Sequence, residues 1–162
     1  MAVDMFIKIG DLKGEAQDKV HKDEIDVLAW SWGVSQSGTM HTGGGGGGGK
    51  CMVQDLSFTK WVDKSSAALL QACSQGSQMG NALLTVRKAG GKNPLEYIKI
   101  EMIDVICTSI STGGSGGEDK LTENVTLNFA GFKFAYQPQK PDGSKDGGEM
   151  KWDFDIAANA PL

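Results

Sequence analysis

Residues 24–37 read Glu-Ile-Asp-Val-Leu-Ala-Trp-Ser-Trp-Gly-Val-Ser-Gln-Ser, an alternation without proline that predicts one long β-strand. Leu28, Trp30 and Trp32 fall on one face of that strand, and Ile25, Val27, Ala29 and Ser31 on the other. The first face is heavy and apolar, suited to a barrel interior. The second is small or apolar too, which a face meeting only water would not be. A strand that wants cover on both sides belongs to a large buried sheet or to a subunit covered by its neighbours. In a chain of 162 residues the neighbours are the better source of cover.

Period-2 patterns recur along the chain. Over 4–9, Met5, Ile7 and Ile9 oppose Asp4, Phe6 and Lys8; over 52–62, Leu56 and Phe58 oppose Asp55, Ser57 and Thr59. Over 81–88, Leu84 and Val86 oppose Thr85 and Arg87, and near the C-terminus Trp152, Phe154 and Ile156 oppose Lys151, Asp153 and Asp155. Two longer runs change phase: Ile98, Ile100 and Met102 give way to Ile103, Val105 and Cys107, and Val125, Leu127 and Phe129 to Phe132, Phe134 and Tyr136, near Gly131. A one-residue slip predicts a bulge or sharp bend, the device by which long strands turn the corners of a small barrel. One helix is predicted, capped by Asp63 or Ser65, with Leu69, Ala72 and Cys73 on its apolar side and Gly76 as its left-handed end. The breaker-rich stretches 38–50, 89–94, 112–120 and 138–149 are too short to separate domains, so residues 1–162 form one domain. The expected fold is mainly β: a small closed barrel of bent antiparallel strands with one flanking α-helix. Leu28, Trp30, Trp32, Phe58, Phe132, Phe134, Trp152 and Phe154 fill its interior.

Composition narrows the function. With 22% charged residues, a net charge of −4 and scattered Lys and Arg, the chain lacks the basic cluster of a nucleic-acid binder. No run approaches the ~20 apolar residues of a membrane-spanning helix, so no membrane insertion is expected. The N-terminus has neither the basic nor the apolar region of a cleaved signal peptide. The protein is therefore expected to be made in the cytoplasm and exported, if at all, by another route. Three cysteines without CxxC spacing, Cys51, Cys73 and Cys107, predict no disulfide framework and no zinc site, and read as small buried hydrophobes.

Candidate chemistry is weak wherever it arises. Gly44, Gly49 and Lys50 have phosphate-loop spacing, but Cys51 stands where a magnesium-binding Ser or Thr is required, and an alternating strand follows instead of a helix. His21 and His41 read as solvated loop residues without a second ligand at helical spacing. Ser31 sits between tryptophans in a strand, with no G-x-S-x-G elbow around it. Asp23-Glu24, Glu118-Asp119 and Glu123 read as ordinary solvated carboxylates. No enzyme, cofactor or metal is expected.

Taken together, several segments resemble the haemolysin co-regulated protein (Hcp) family, the tube protein of type VI secretion systems. They are Met1-Ala-Val-Asp-Met-Phe-Ile-Lys-Ile-Gly10, Glu24-Ile-Asp-Val-Leu-Ala-Trp-Ser-Trp-Gly33, Asp63-Lys-Ser-Ser66, Arg87-Lys-Ala-Gly-Gly91, Ser111-Thr-Gly-Gly-Ser-Gly-Gly-Glu-Asp119 and Leu121-Thr-Glu-Asn-Val-Thr-Leu-Asn-Phe129. The matches are collinear and none is a catalytic motif. Departures are small: Ala16 and Ala67 stand where family members often carry Ser and Pro. The resemblance implies a homohexameric ring of barrels stacked into a tube, capped by a trimeric spike and expelled by a contractile sheath. It also implies a ring lumen that acts as receptor and chaperone for secreted effector proteins. On this reading Ser31, Ala29 and Val27 face the lumen and its effectors, and Gly43, Gly46, Gly49, Ala89, Gly90 and Gly91 lie in the loops that stack rings. A monomeric small-ligand-binding β-barrel is the alternative, but the aromatic residues assigned to the interior leave a ligand little room.

Overall fold

The computed structural model describes residues 3–41, 43–45, 47–88, 92 and 94–162. In chain order its elements are β1 (Val3–Ile9), β2 (Ile25–Ser31), β3 (Val34–Ser35), β4 (Met52–Val53), β5 (Leu56–Trp61), α1 (Ser66–Gln75), β6 (Ala82–Lys88), β7 (Glu96–Ile103), β8 (Ile106–Thr112), β9 (Thr122–Asn128), β10 (Gly131–Tyr136), β11 (Met150–Asp155) and β12 (Ala160–Pro161). Among the described residues ten strands pair in the order β12-β11-β10-β7-β6-β1-β2-β5-β9-β8, and β3 pairs with β4 as a separate hairpin. All these pairings are antiparallel.

The sheet's shape follows from two very short connections. β7 and β8 lie six places apart in the sheet and are joined by Asp104 and Val105 alone; β9 and β10, also six places apart, are joined by Phe129 and Ala130. In a flat sheet those strands would be about 29 Å apart, whereas three Cα–Cα steps reach about 11 Å. The sheet must therefore roll until its distant parts meet. The Ala130 amide donates to the Ile103 carbonyl at 2.8 Å, and Trp32, following β2, packs edge-on against Phe132 of β10 with ring centroids 4.7 Å apart. Inside the roll a single cluster takes Ile7 and Ile9 from β1, Ile25 and Val27 from β2, Leu56 and Phe58 from β5, and Val125 and Leu127 from β9.

The structure departs from the expected closed barrel at several points. The barrel is not closed: among the described residues no ladder joins β12 to β8, and the roll keeps two edges. The two phase slips, expected as a bulge or sharp bend within a long strand, are the two-residue crossings at 104–105 and 129–130, where one strand ends and the chain leaves for another part of the sheet. The true bulge lies in β2, where the register with β5 shifts between Val27 and Ala29. Ile25 and Val27 therefore point into the core, Leu28 is pushed out to 38% exposure, and Trp30 and Trp32 resume the inward face. Val27, expected at a lumenal surface, is 5% exposed in the core of the single chain. Trp152, expected inside, is 52% exposed, because the apolar face of β11 runs past the end of the core.

Part of the second face is covered by the chain itself. Residues 11–24 fold over Phe6 of β1 and Thr85 and Arg87 of β6, all buried. The His21 ring stacks on Phe6 with centroids 4.6 Å apart, and its two nitrogens face Glu24 Oε2 at 2.8 Å and Glu96 Oε1 at 2.6 Å. His21 is thus a buried structural residue, and Glu24 is its partner, where the sequence suggested solvated loop groups. Burial pushes the Glu96 carboxyl up, but the His21 contact and Lys99 outweigh it and hold it below the usual range. Arg87 lies over the Phe6 ring and clasps Asp18 with two guanidinium nitrogens, one at 3.0 Å.

Helix α1 packs along β8 and ends at Gly76 in the left-handed conformation, as the sequence predicts. Its start differs in detail. Ser65 occupies the cap position without a side-chain cap bond, and its amide and hydroxyl both donate to Asp63 Oδ1. The anchor is a buried network beneath. Lys60, fully buried on β5, places its Nζ 2.7 Å from Glu123 Oε2 on β9, 3.0 Å from Asp63 Oδ1 and 3.2 Å from Ser66 Oγ. Glu123 is 2% exposed, a correction to its reading as a solvated carboxylate.

Two predictions follow from these clusters. Lys60→Met leaves Glu123 buried without its cation and should cost about 3–5 kcal/mol in urea unfolding, whereas adding Glu123→Leu should recover most of the loss. If the double variant is no better than the single, the pair is not the source of the cost. The Asp18 carboxyl is held at about 2 instead of 3.8, chiefly by the Arg87 hydrogen bond against the opposing effect of burial. A carboxylate with a lowered folded pKa stabilises fully above its unfolded value and ceases to do so as pH falls through its folded value. The Tm deficit of Asp18→Asn should therefore be complete above about pH 4 and vanish near pH 2. A deficit unchanged across that window would assign the effect to packing.

Candidate functional site

The outer face of β2, β5, β9 and β8 is left bare by residues 11–24. Alternation sends Leu56, Phe58, Val125 and Leu127 inward, so Ser57, Thr59, Asn124 and Thr126 must point out. The registers align these residues in two rows across the strands. One row runs Ser31, Ser57, Thr126, Ser109; the next runs Ala29, Thr59, Asn124, Ser111. Neighbours in each row are hydrogen-bonded: Ser57 Oγ lies 3.2 Å from Thr126 Oγ1, and Thr59 Oγ1 donates to Asn124 Oδ1 at 2.8 Å. These eight positions carry six hydroxyls, one amide and one methyl, with no charge and no large apolar side chain.

The rims differ from the centre. At one end Asp55 accepts from Thr108 Oγ1 at 3.0 Å and from Asn128 Nδ2 at 2.8 Å, so the one carboxylate there is already engaged. At the other, Lys120 Nζ lies 5.3 Å from the centroid of the Trp61 ring, over an open hollow of about 580 Å³ shared with Glu118 and Asp119. Ser31 has no histidine or other base within hydrogen-bond reach among the contacts of the described residues. No group of three or more metal-ligating side chains occurs among the described residues either. The arrangement offers weak, direction-tolerant hydrogen bonding across a neutral face.

Of the sequence-predicted contact residues, Ser31 and Ala29 lie exposed on this face, and Val27 lies beneath it in the core. Sequence reasoning missed the other six positions. Their signal was present in Ser57, Thr59, Asn124, Thr126, Ser109 and Ser111, small polar residues alternating with core residues, but only the strand order brings them together. Of the stacking residues, Gly43 and Gly49 belong to an exposed loop extending the β3–β4 hairpin, with a bridge between Gly38 and Gly48 and Gly44 and Gly45 in the left-handed conformation. Gly46, Ala89, Gly90 and Gly91 lie outside the described residues. His41 is exposed in the same loop.

A second surface feature is apolar. Trp32, Val34, Cys51, Phe132, Phe134, Trp152 and Phe154 line an open groove of about 260 Å³ where the inner face of β10 and β11 emerges from the core. Beside it Met150 and Met52 stand 64% and 70% exposed.

The rolled β structure thus presents two distinct surfaces, a neutral hydroxyl-rich face and an apolar groove. Residues 6–136 match the family described as type VI secretion system effector, Hcp. The chain is 65% identical over 159 residues to protein hcp1 of Pseudomonas aeruginosa, covering 98% of each. Among solved structures it resembles a type six secretion system protein with a TM-score of 0.92 at 29% identity, covering 99% of this chain and all of that one. It also resembles Hcp1 from Salmonella typhimurium with a TM-score of 0.80 at 34% identity, covering all of both chains. The chain belongs to the Hcp family of type VI secretion proteins, a structural, secreted family and not one of enzymes.

If the hydroxyl rows serve a surface role, they should contribute little to folding. Thr126→Val keeps β-branching and removes one hydroxyl, so its stability by urea titration should stay within about 0.5 kcal/mol of the parent. A loss above about 1.5 kcal/mol would make the row a structural element of the sheet.

Proposed function

We propose that this chain is the subunit of a type VI secretion tube, and that the β2–β5–β9–β8 face lines the tube. Six copies form a ring, rings stack, a spike trimer caps the stack, and a contractile sheath drives it out of the bacterium with effector proteins inside. The observation that carries this reading is the uncharged, hydroxyl-rich pair of rows on an exposed four-strand face. A surface that must hold and release varied proteins does best without salt bridges or large apolar anchors, the features that concentrate binding energy at interfaces.

The dimensions support it. Six four-strand faces side by side, at about 4.8 Å per strand, close a circle roughly 37 Å across. A folded domain of 100 residues has a radius of gyration of about 13 Å, so such a hole accepts small folded proteins and excludes large ones. Ring formation also gives the apolar groove a role. A heterologous contact uses two different surfaces per subunit, and the groove by Trp152 is one that a neighbour would cover. In this reading the Gly43 and Gly49 loop, together with Ala89, Gly90 and Gly91, would make the contacts between rings.

Light scattering on the size-exclusion peak, with negative-stain images, tests assembly. A mass near six times 17.2 kDa and annular particles are expected. A clean monomer at micromolar concentration would sink constitutive ring formation and favour a ligand-binding role for the apolar groove. Ser31→Gln enlarges a lumenal side chain, and should leave the ring mass unchanged while lowering the amount of effector recovered with it. Collapse of this variant to monomers would place Ser31 in the subunit contact.

A further inference from the structure

The helix and the edge strand it covers each carry one thiol at their contact. The register of that contact is fixed just beyond the helix: Gln78 bridges to Ile106, and the Met79 amide donates to the Val105 carbonyl at 2.9 Å. Cys73 sits in the last turn of α1, just before the left-handed Gly76, and Cys107 is the residue next to Ile106 on the strand that the helix packs against. Cys107 belongs to the core cluster and Cys73 packs against it, close enough for the one thiol to perturb the other. Cys107 also donates to the Ser109 carbonyl at 3.4 Å, beside the register shift where β8 bends over β9. Cys51 lies elsewhere, on the apolar groove.

We propose that Cys73 and Cys107 are a thiol pair that closes to an intrachain disulfide when the protein meets an oxidising thiol–disulfide medium. Cys73 is half-buried and Cys107 is 4% exposed, so Cys73 is the point of entry. With oxidised glutathione as the oxidant, the Cys73 thiolate attacks one glutathione sulfur and expels a glutathione thiolate, giving a mixed disulfide. The Cys107 sulfur, having lost its proton to solvent, attacks the Cys73 sulfur and expels the second glutathione thiolate. The two protein thiols lose two electrons and two protons, and one glutathione disulfide becomes two thiols. Burial, and then the neighbouring Cys73, push the Cys107 thiol up to about 11, which keeps it inert until a mixed disulfide holds its target beside it.

The bond would tie α1 to β8, an edge strand with a ladder on one side only. The two thiols enclose β6 and β7 in the closed loop, so the cross-link constrains the unfolded chain considerably. Its biological use rests on the export reading, since only an exported subunit passes from a reducing to an oxidising compartment.

The purified full chain, incubated with oxidised glutathione, denatured and alkylated, tests the pairing directly. The expected product has lost two hydrogen atoms, retains one alkylatable thiol at Cys51, and yields tryptic peptide 65–87 linked to 100–120. Its Tm should rise by about 5–10 °C, reversibly with dithiothreitol. Cys73→Ser and Cys107→Val should each abolish the linked product, and Cys51→Ser should keep it; should Cys107→Val fail to fold, the more exposed Cys73→Ser decides. A persistent glutathione adduct on Cys73, a link through Cys51, or three free thiols after prolonged oxidation would each overturn the proposal. A monomer that forms the link would refute the ring and leave the pair standing, and a ring that does not form it would do the reverse.

Discussion

The roll of the sheet depends on the two crossings at 104–105 and 129–130. Each joins strands six places apart with two residues, so neither can be satisfied unless the sheet curls through most of a turn. Everything apolar inside follows from that closure, because strands that never pair still pack across the roll, as Trp32 does on Phe132. Asp104 adopts a left-handed backbone, and the Ala130 amide reaches the Ile103 carbonyl, so each corner helps hold the other. Closure by packing instead of by a hydrogen-bonded ladder leaves two sheet edges. Helix α1 lies against β8, and the short β12 borders the other edge, which limits how much strand either edge offers for pairing.

The outside of the roll is divided between two fates. Over β1 and β6 the chain supplies its own lid: Phe6, Thr85 and Arg87 are buried beneath residues 11–24, and the polar groups there find Asp18, His21, Glu24 and Glu96. Over β2, β5, β9 and β8 none of the described residues forms such a lid, and the side chains change to Ser, Thr, Asn and Ala. The contrast argues that the bare face is selected for its surface. An exposed strand face generally tolerates Lys and Glu, which raise solubility, and these eight positions carry neither.

Alternation is a local property, and the sequence disclosed what alternation controls. β1, β5, β6 and β11 and the single helix with its Gly76 terminus were legible for that reason, and the Hcp resemblance followed from collinear segments. What alternation cannot disclose is which strand lies beside which. A phase slip looks the same whether a strand bulges, bends sharply, or ends where the chain leaves one part of the sheet for another, so the slip alone reads as a bulge or bend within one strand. In β2 the reverse happened: Leu28 is as apolar as its neighbours, and only its pairing with β5 shows it to be the extra residue that puts Val27 inside. His21 and Glu123 look like ordinary polar residues in isolation. Their burial depends on Phe6, Glu96 and Lys60, partners distant in the chain.

The buried Lys60–Glu123 pair bears directly on the neutral face. Both residues sit on the strands that carry it, Lys60 directly opposite Glu123 in the register of β5 and β9. A slip of one residue in either strand would turn its charge outward onto the hydroxyl rows and carry Ser57 and Thr59, or Asn124 and Thr126, into the core. It would also separate the ion pair and leave the charge still inside uncompensated, a penalty of several kcal/mol. Replacing the pair with apolar residues need not weaken the fold, but it would remove the electrostatic penalty that keeps the slipped register unfavourable. The pair thus specifies which side of β5 and β9 faces out, and in doing so keeps the hydroxyl rows free of charge.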